Sequence, residues 1–183
     1  MNIIFYIREQ TKLIESTYLQ WQKVGSDYGK NINSFYSLHK KSFDFIERIK
    51  PWGDSFGGEN IHARVYDKRM IGSDVFKDFS TVIGLDAQKI PEIRENQSII
   101  AEFSRLIESM DSLLEIEKSS REKLVREIVR LSEKFRTSSK EKIISEELEK
   151  EIKLFYHEGN KKFAAEYLKE PMASFFMKQI ADN

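Results

Sequence analysis

The spacing of apolar positions predicts two short strands in the first third of the chain. An uninterrupted apolar run stops abruptly at Arg8, which predicts a strand over Asn2–Ile7 with both faces buried, as in a parallel sheet. Residues Asn60–Tyr66 alternate instead, which predicts a second strand with apolar side chains on one face. Because two strands cannot make a well-covered sheet, we expect an incomplete sheet or a partner.

A helical period of apolar residues predicts helices elsewhere. The predicted helices are Glu9–Val24, Phe35–Trp52, a short helix capped by Ser73 or Asp74, Asn96–Glu115, Arg121–Phe135 and Ser145–Leu168. We expect Pro51 and the glycines that follow it to end the second helix. The order of elements predicts an α/β fold of about two parallel strands with a mainly helical C-terminal part, divided into regions 1–95 and 96–183.

The composition excludes several classes of function. Lysine plus arginine and aspartate plus glutamate each number 30 among 183 residues, so no broad polyanion-binding surface is expected and nucleic acid is excluded as a partner. The chain has no cysteine, which excludes disulfides and thiolate metal sites. No apolar run approaches the roughly 20 residues of a membrane span. With no signal-peptide pattern, we expect a cytoplasmic protein.

The clearest candidate for chemistry is the pair Arg8 and Ser16. Arg8 follows the first strand, and the carboxyl ends of parallel strands are where ligands of α/β proteins collect. Its planar guanidinium suits a phosphate, and Ser16 on the next helix offers a hydroxyl. The alternative is that Arg8 pairs with Glu9 or Glu15 and that Ser16 is an ordinary surface serine. The spacing by itself favours this alternative.

The three histidines give no support to a metal site. His39, His62 and His157 have no second histidine at helical ligand spacing, and each is better explained as a structural residue. We therefore expect no bound metal.

Four segments, taken in order, resemble one known family. The segment "YIREQTKLIESTY", with Arg8 and Ser16, resembles the 3′-phosphate-binding segment of sulfotransferases that use 3′-phosphoadenylyl sulfate (PAPS). The segments "RIKPWGDSFGGENI" and "IHARVYDKRMIGSDVFKDFSTVIGLD" are similar to the following part of the bacterial cell-surface polysaccharide branch, and "FYHEGNKKFAAEYL" to its closing helix. The resemblance covers most of the chain.

The resemblance implies a fold, a reaction and three site residues. The fold would be a P-loop-transferase-like parallel sheet, and the reaction a transfer of the sulfuryl group of PAPS to a sugar hydroxyl of a cell-surface glycan. Arg8 and Ser16 would hold the 3′-phosphate of PAPS, and Tyr66 would lie near the adenine. A core aromatic with a satisfied hydroxyl is the competing interpretation of Tyr66.

The departures from the family limit this expectation. We find neither the glycine- and lysine-rich loop that grips the 5′-phosphosulfate nor an identifiable catalytic base, so the chain resembles the C-terminal portion of such an enzyme. We expect no sulfate transfer by this chain unaided. The alternative is a non-enzymatic helical module for protein interaction. In either case an unpaired sheet edge would favour a homo-oligomer.

Overall fold

A computed structural model describes residues 1–25, 31–72, 74–86, 99–135 and 141–181. In this part of the chain a two-stranded parallel sheet stands among helices, which confirms an α/β class with a mainly helical remainder. Ser73, one of the two predicted caps, lies outside the described residues. The elements are β1 Ile3–Ile7, α1 Gln10–Val24, α2 Ile32–His39, α3 Phe45–Phe56, β2 Ile61–Val65, α4 Lys68–Ile71, α5 Val75–Val82, α6 Ala101–Leu113, α7 Lys118–Phe135, α8 Glu146–Tyr167 and α9 Met172–Ala181.

The two strands pair in parallel with a fixed register. Ile3 lies opposite Ile61, Tyr6 opposite Arg64 and Ile7 opposite Val65. The predicted alternation of β2 is confirmed, because its odd-numbered residues are buried and its even-numbered ones are partly exposed. In β1, Ile7 is fully buried and the other four residues are partly buried, with Phe5 packed against helices on one face and Tyr6 bonded to α5 on the other.

The predicted helix Phe35–Trp52 is two helices. A 3-10 turn over Lys40–Phe43 separates α2 from α3, and Asp44 starts α3 by accepting a hydrogen bond from the Ile46 N–H at 3.0 Å. Pro51 does not end α3, which continues to Phe56. A proline removes one backbone N–H, and the loss of that bond does not stop the helix here. Its C-cap is Gly57, whose φ of 85° is a conformation that favours glycine.

The chain forms two compact units. Unit 1 comprises residues 1–9, 44–95 and 155–183, and unit 2 comprises 10–43 and 96–154. These units differ from the predicted regions 1–95 and 96–183, because each unit combines segments from both regions. The sheet belongs to unit 1.

An aromatic cluster forms the core of unit 1. The ring of Phe5 in β1 packs edge-on against Phe45 of α3, with 6.4 Å between centroids, and at 6.0 Å from Phe163 of α8. Phe45 also lies 6.2 Å from Phe176 of α9. Since Phe45, Phe163 and Phe176 are almost completely buried, this cluster covers one face of the sheet and fixes β1 against three helices.

A buried polar network ties α1 to α6 in unit 2. The Tyr18 hydroxyl donates to Glu108, and the Gln22 side-chain amide donates to the Tyr18 oxygen at 2.9 Å. Ser104 completes the network, because its hydroxyl donates to the Gln22 side-chain oxygen at 2.8 Å.

The Tyr36 hydroxyl differs from that of Tyr18: it is buried and has no hydrogen-bond partner among the described residues. Burial, with a smaller contribution from the charge of Glu151, raises the pKa of Tyr36 to about 12.

These two tyrosines give a matched pair of substitutions. Tyr36→Phe removes a buried hydroxyl without a partner, so we expect the free energy of unfolding to stay the same or to rise by up to about 1 kcal/mol. Tyr18→Phe removes the hydrogen bonds that Gln22 and Glu108 make to this hydroxyl, so we expect a loss of about 1–3 kcal/mol. Urea denaturation of both variants measures the difference. An equal loss in the two variants would contradict this account.

Candidate functional site

The carboxyl ends of the two strands lie side by side in unit 1. The backbone N–H of Tyr66 donates to the carbonyl of Ile7 at 2.6 Å, so Arg8 and Tyr66 are the first residues after paired strand ends. The guanidinium carbon of Arg8 lies 6.0 Å from the centroid of the Tyr66 ring. The sequence-predicted residues Arg8 and Tyr66 are therefore brought together at the edge where α/β proteins bind ligands.

The charge of Arg8 is not neutralised within the described part of unit 1. No carboxylate there lies within ion-pair distance of its guanidinium, and this includes Glu9, the neighbour proposed as its partner in the alternative interpretation. Arg8 is half-buried and Tyr66 is 45% exposed. The sheet end thus presents a partly shielded positive charge beside an accessible aromatic ring, which suits an anion attached to a flat ring system.

A second arginine at this edge is already paired. Asp67 follows Tyr66, caps α4 and accepts two hydrogen bonds from the Arg69 guanidinium at 2.8 Å each. The Gln179 side chain of α9 donates to the same carboxylate at 3.1 Å. The hydrogen bonds from Arg69, which outweigh the opposing effect of burial, hold the pKa of Asp67 well below its usual range. Arg69 is therefore less available for an external anion than Arg8.

Ser16 does not belong to the same compact unit as Arg8. Its side chain is exposed on α1, which belongs to unit 2 together with Glu15. Arg8 belongs to unit 1, so a joint phosphate site of Arg8 and Ser16 stays a prediction. The structure describes Tyr66 as an exposed residue rather than as a core aromatic.

One charged cluster was missed by the sequence reasoning. Asp78 of α5 accepts a hydrogen bond from the Tyr6 hydroxyl at 2.6 Å and one from Arg64 Nε at 2.5 Å, and the other Asp78 oxygen pairs with the Arg64 guanidinium. Burial, reinforced by Asp78, raises the pKa of Tyr6, and the hydrogen bonds to Asp78 raise the pKa of Arg64. The register of the two strands is the feature that would have indicated this cluster. It places Tyr6 beside Arg64 on the face opposite the aromatic core. This cluster anchors α5 to the sheet.

The remaining expectations concern metals and membranes. Within the described ranges, no group of three or more His, Asp or Glu residues is arranged to hold a metal ion. His39 lies 5.0 Å from both the Trp21 and Phe35 rings, and His62 lies 3.3 Å from the Asn2 side-chain oxygen. No helix among the described residues combines the length and apolar character needed to cross a membrane.

Comparison with known proteins shows a similarity over most of the chain. The chain is similar to an uncharacterized protein of Archaeoglobus fulgidus, with 27% identity over 172 residues. The aligned part covers 91% of this chain and 45% of the relative, so the chain spans about half the length of that protein. No family model and no solved structure matches the sequence. Because that relative is described only as uncharacterized, the similarity assigns no activity to this chain.

The Asp78 cluster should contribute to stability. Asp78→Ala leaves Arg64 and Tyr6 without a partly buried partner, so we expect the free energy of unfolding to fall by about 1–3 kcal/mol. Glu127→Ala is the control, because it breaks the exposed ion pair with Arg130 on α7 and should cost less than about 0.5 kcal/mol. Thermal and urea unfolding of both variants test this, and equal effects would show that the cluster has no special role.

The Asp67 carboxylate should make stability depend on pH in the acid range. A carboxyl whose pKa is lower in the folded state stabilises the fold above its usual value of 3.8, and this contribution is lost as the pH falls through the folded pKa. We therefore expect the stability difference between wild type and Asp67→Asn to be constant at neutral pH and to shrink below about pH 4. Arg69→Gln should remove most of this acid dependence. Urea titrations across that range would refute the prediction if the difference stayed constant.

Proposed function

We propose that this chain provides the 3′-phosphate-binding part of a PAPS-dependent sulfotransferase that acts on a sugar hydroxyl of a cell-surface glycan. The observation that carries the proposal is Arg8, at the carboxyl end of a parallel strand, uncompensated within the described part of unit 1 and next to the Tyr66 ring. This pairing of a cation with an exposed aromatic ring suits the 3′-phosphate and the adenine of one nucleotide. The resemblance of the surrounding segment supports the same assignment.

The roles in the proposed reaction follow from its chemistry. The sugar hydroxyl oxygen forms a bond to the sulfur while the bond from sulfur to the phosphate oxygen breaks, and a base takes the hydroxyl proton. Adenosine 3′,5′-bisphosphate then leaves with the electron pair of the broken bond. In this account Arg8 and Ser16 bind the 3′-phosphate and Tyr66 contacts the adenine, so these residues orient the donor. None of them is assigned the role of the base.

Calorimetry with adenosine 3′,5′-bisphosphate tests the proposal. We expect binding that Arg8→Ala weakens at least tenfold, because a phosphate loses its charged bidentate donor. Ser16→Ala should weaken binding less, since it removes one neutral donor. Arg130→Ala is a matched control, because Arg130 is an exposed arginine that pairs with Glu127.

A ligand control separates the 3′-phosphate from the rest of the nucleotide. Adenosine 5′-monophosphate lacks the 3′-phosphate, so its affinity should be low for wild type and unchanged by Arg8→Ala. Equal affinity for the two nucleotides would overturn the assignment of Arg8. A well-folded sample that binds neither nucleotide would favour the alternative, a helical module for protein interaction.

A further inference from the structure

A cleft in unit 1 runs along the outer edge of β2. Its volume is about 430 Å³, and its walls are residues 61–64 of β2, Met70, Val82, Tyr167 and residues 169–172. The lining includes residues from both faces of β2 but none from β1. The cleft therefore lies at the strand edge that faces away from β1, and its volume is within the usual range of ligand pockets.

The hydrogen bonding of β2 shows which backbone groups face this cleft. Because the Tyr66 N–H bonds to β1, the parallel pattern turns the even-numbered residues of β2 toward β1 and the odd-numbered ones toward the cleft. The Ile61 N–H donates to the carbonyl of Gly58, and the Val65 carbonyl accepts from the Asp67 N–H at 2.9 Å. The Val65 N–H contacts the sulfur of Met172 at 3.5 Å. The ends of this edge are thus occupied.

The middle of the edge is unpaired. Among the described residues, nothing hydrogen-bonds to the N–H or carbonyl of Ala63 on this side, or to the carbonyl of Ile61. One residue of an antiparallel strand exchanges two hydrogen bonds with the residue opposite it. A residue of an added strand placed opposite Ala63 would hydrogen-bond both the N–H and the carbonyl of Ala63. The N–H of the added strand two residues further along would reach the carbonyl of Ile61. The open groups match about three residues of extended chain.

We propose that this cleft binds a short extended peptide, which adds a strand to the outer edge of β2. The unpaired groups are the N–H of Ala63 and the carbonyls of Ala63 and Ile61. They favour a peptide over a sugar, because they recur along the strand with the spacing of backbone amides in a neighbouring strand. Met70, Val82 and Met172 give an apolar wall for alternate side chains of the peptide. Lys169 and Glu170 are exposed residues of the lining, and Lys169 offers a positive charge to the peptide. The proposal is independent of nucleotide binding.

Hydrogen exchange tests whether the edge is open. In uniformly ¹⁵N-labelled protein, we expect the Ala63 amide to exchange much faster than the amides of His62 and Arg64, which bond to β1. Comparable protection of all three amides would show that the Ala63 N–H already has a partner and would overturn the proposal.

Binding is then measured with the peptide acetyl-Thr-Val-Thr-amide. We expect a saturable shift of the Ala63 amide resonance, with a dissociation constant on the order of 1 mM. The same peptide with an N-methyl group on valine lacks the N–H that meets the Ala63 carbonyl, so it should bind at least tenfold more weakly. This comparison uses wild-type protein and does not depend on a variant that folds.

A protein variant and a sugar complete the test. Ala63→Pro removes the free N–H at an edge position where proline is tolerated. In a variant with an unchanged circular dichroism spectrum, the peptide should no longer shift the amide resonances of His62 and Arg64, which report binding here because residue 63 then has no amide proton. Equal binding of the two peptides would overturn the proposal, and so would cellobiose shifting the Ala63 resonance when the peptide does not. Loss of nucleotide binding in Arg8→Ala leaves this result unaffected, which keeps the two proposals distinguishable.

Discussion

The parallel pairing of β1 with β2 is the constraint on which the rest of unit 1 depends. It joins two segments that are far apart in sequence, and its register decides which side chains share a face. On one face Phe5 meets the aromatic cluster, and on the other Tyr6 and Arg64 meet Asp78. The same pairing aligns Arg8 with Tyr66 at the strand ends and turns the Ala63 backbone outward. A shift of one residue would exchange the faces and remove all of these arrangements.

The arginines near this sheet differ in how their charge is compensated. Arg64 is held by Asp78 and has a side chain only 26% exposed, so its function is to connect a strand to a helix. Arg69 is paired with Asp67 and lies 4.6 Å from the Phe175 ring, so it shapes the turn after β2. Arg8 has no ion pair within the described part of unit 1, and its guanidinium carbon lies 6.0 Å from the centroid of the Tyr66 ring. Arg48, 5.4 Å from the Phe5 ring, likewise has no ion pair among the described residues. The position of Arg8 at the carboxyl ends of the paired strands therefore makes it the candidate ligand-binding charge.

Local patterns in the sequence predicted the strands well, because apolar runs and alternation report burial directly. β1 and β2 lie within one residue of their predicted bounds, and the placement of Arg8 and Tyr66 next to the strand ends follows from that. Long-range partners were not predictable in this way. The Asp78 cluster depends on register, and the 3-10 turn before α3 depends on how Asp44 caps a helix. The two units combine distant segments, which no local period encodes.

The distance along the chain between the two strands also has a consequence for synthesis. Ile3 pairs with Ile61, so β1 leaves the ribosome a few seconds before its partner strand is made. During that time an apolar strand has neither its ladder of hydrogen bonds nor the helices that later cover Phe5. Segments of this kind are recognised by chaperones and prone to misassociation. The residues of β1, which position Arg8 in the folded protein, are therefore prone to aggregation while the chain is being synthesised.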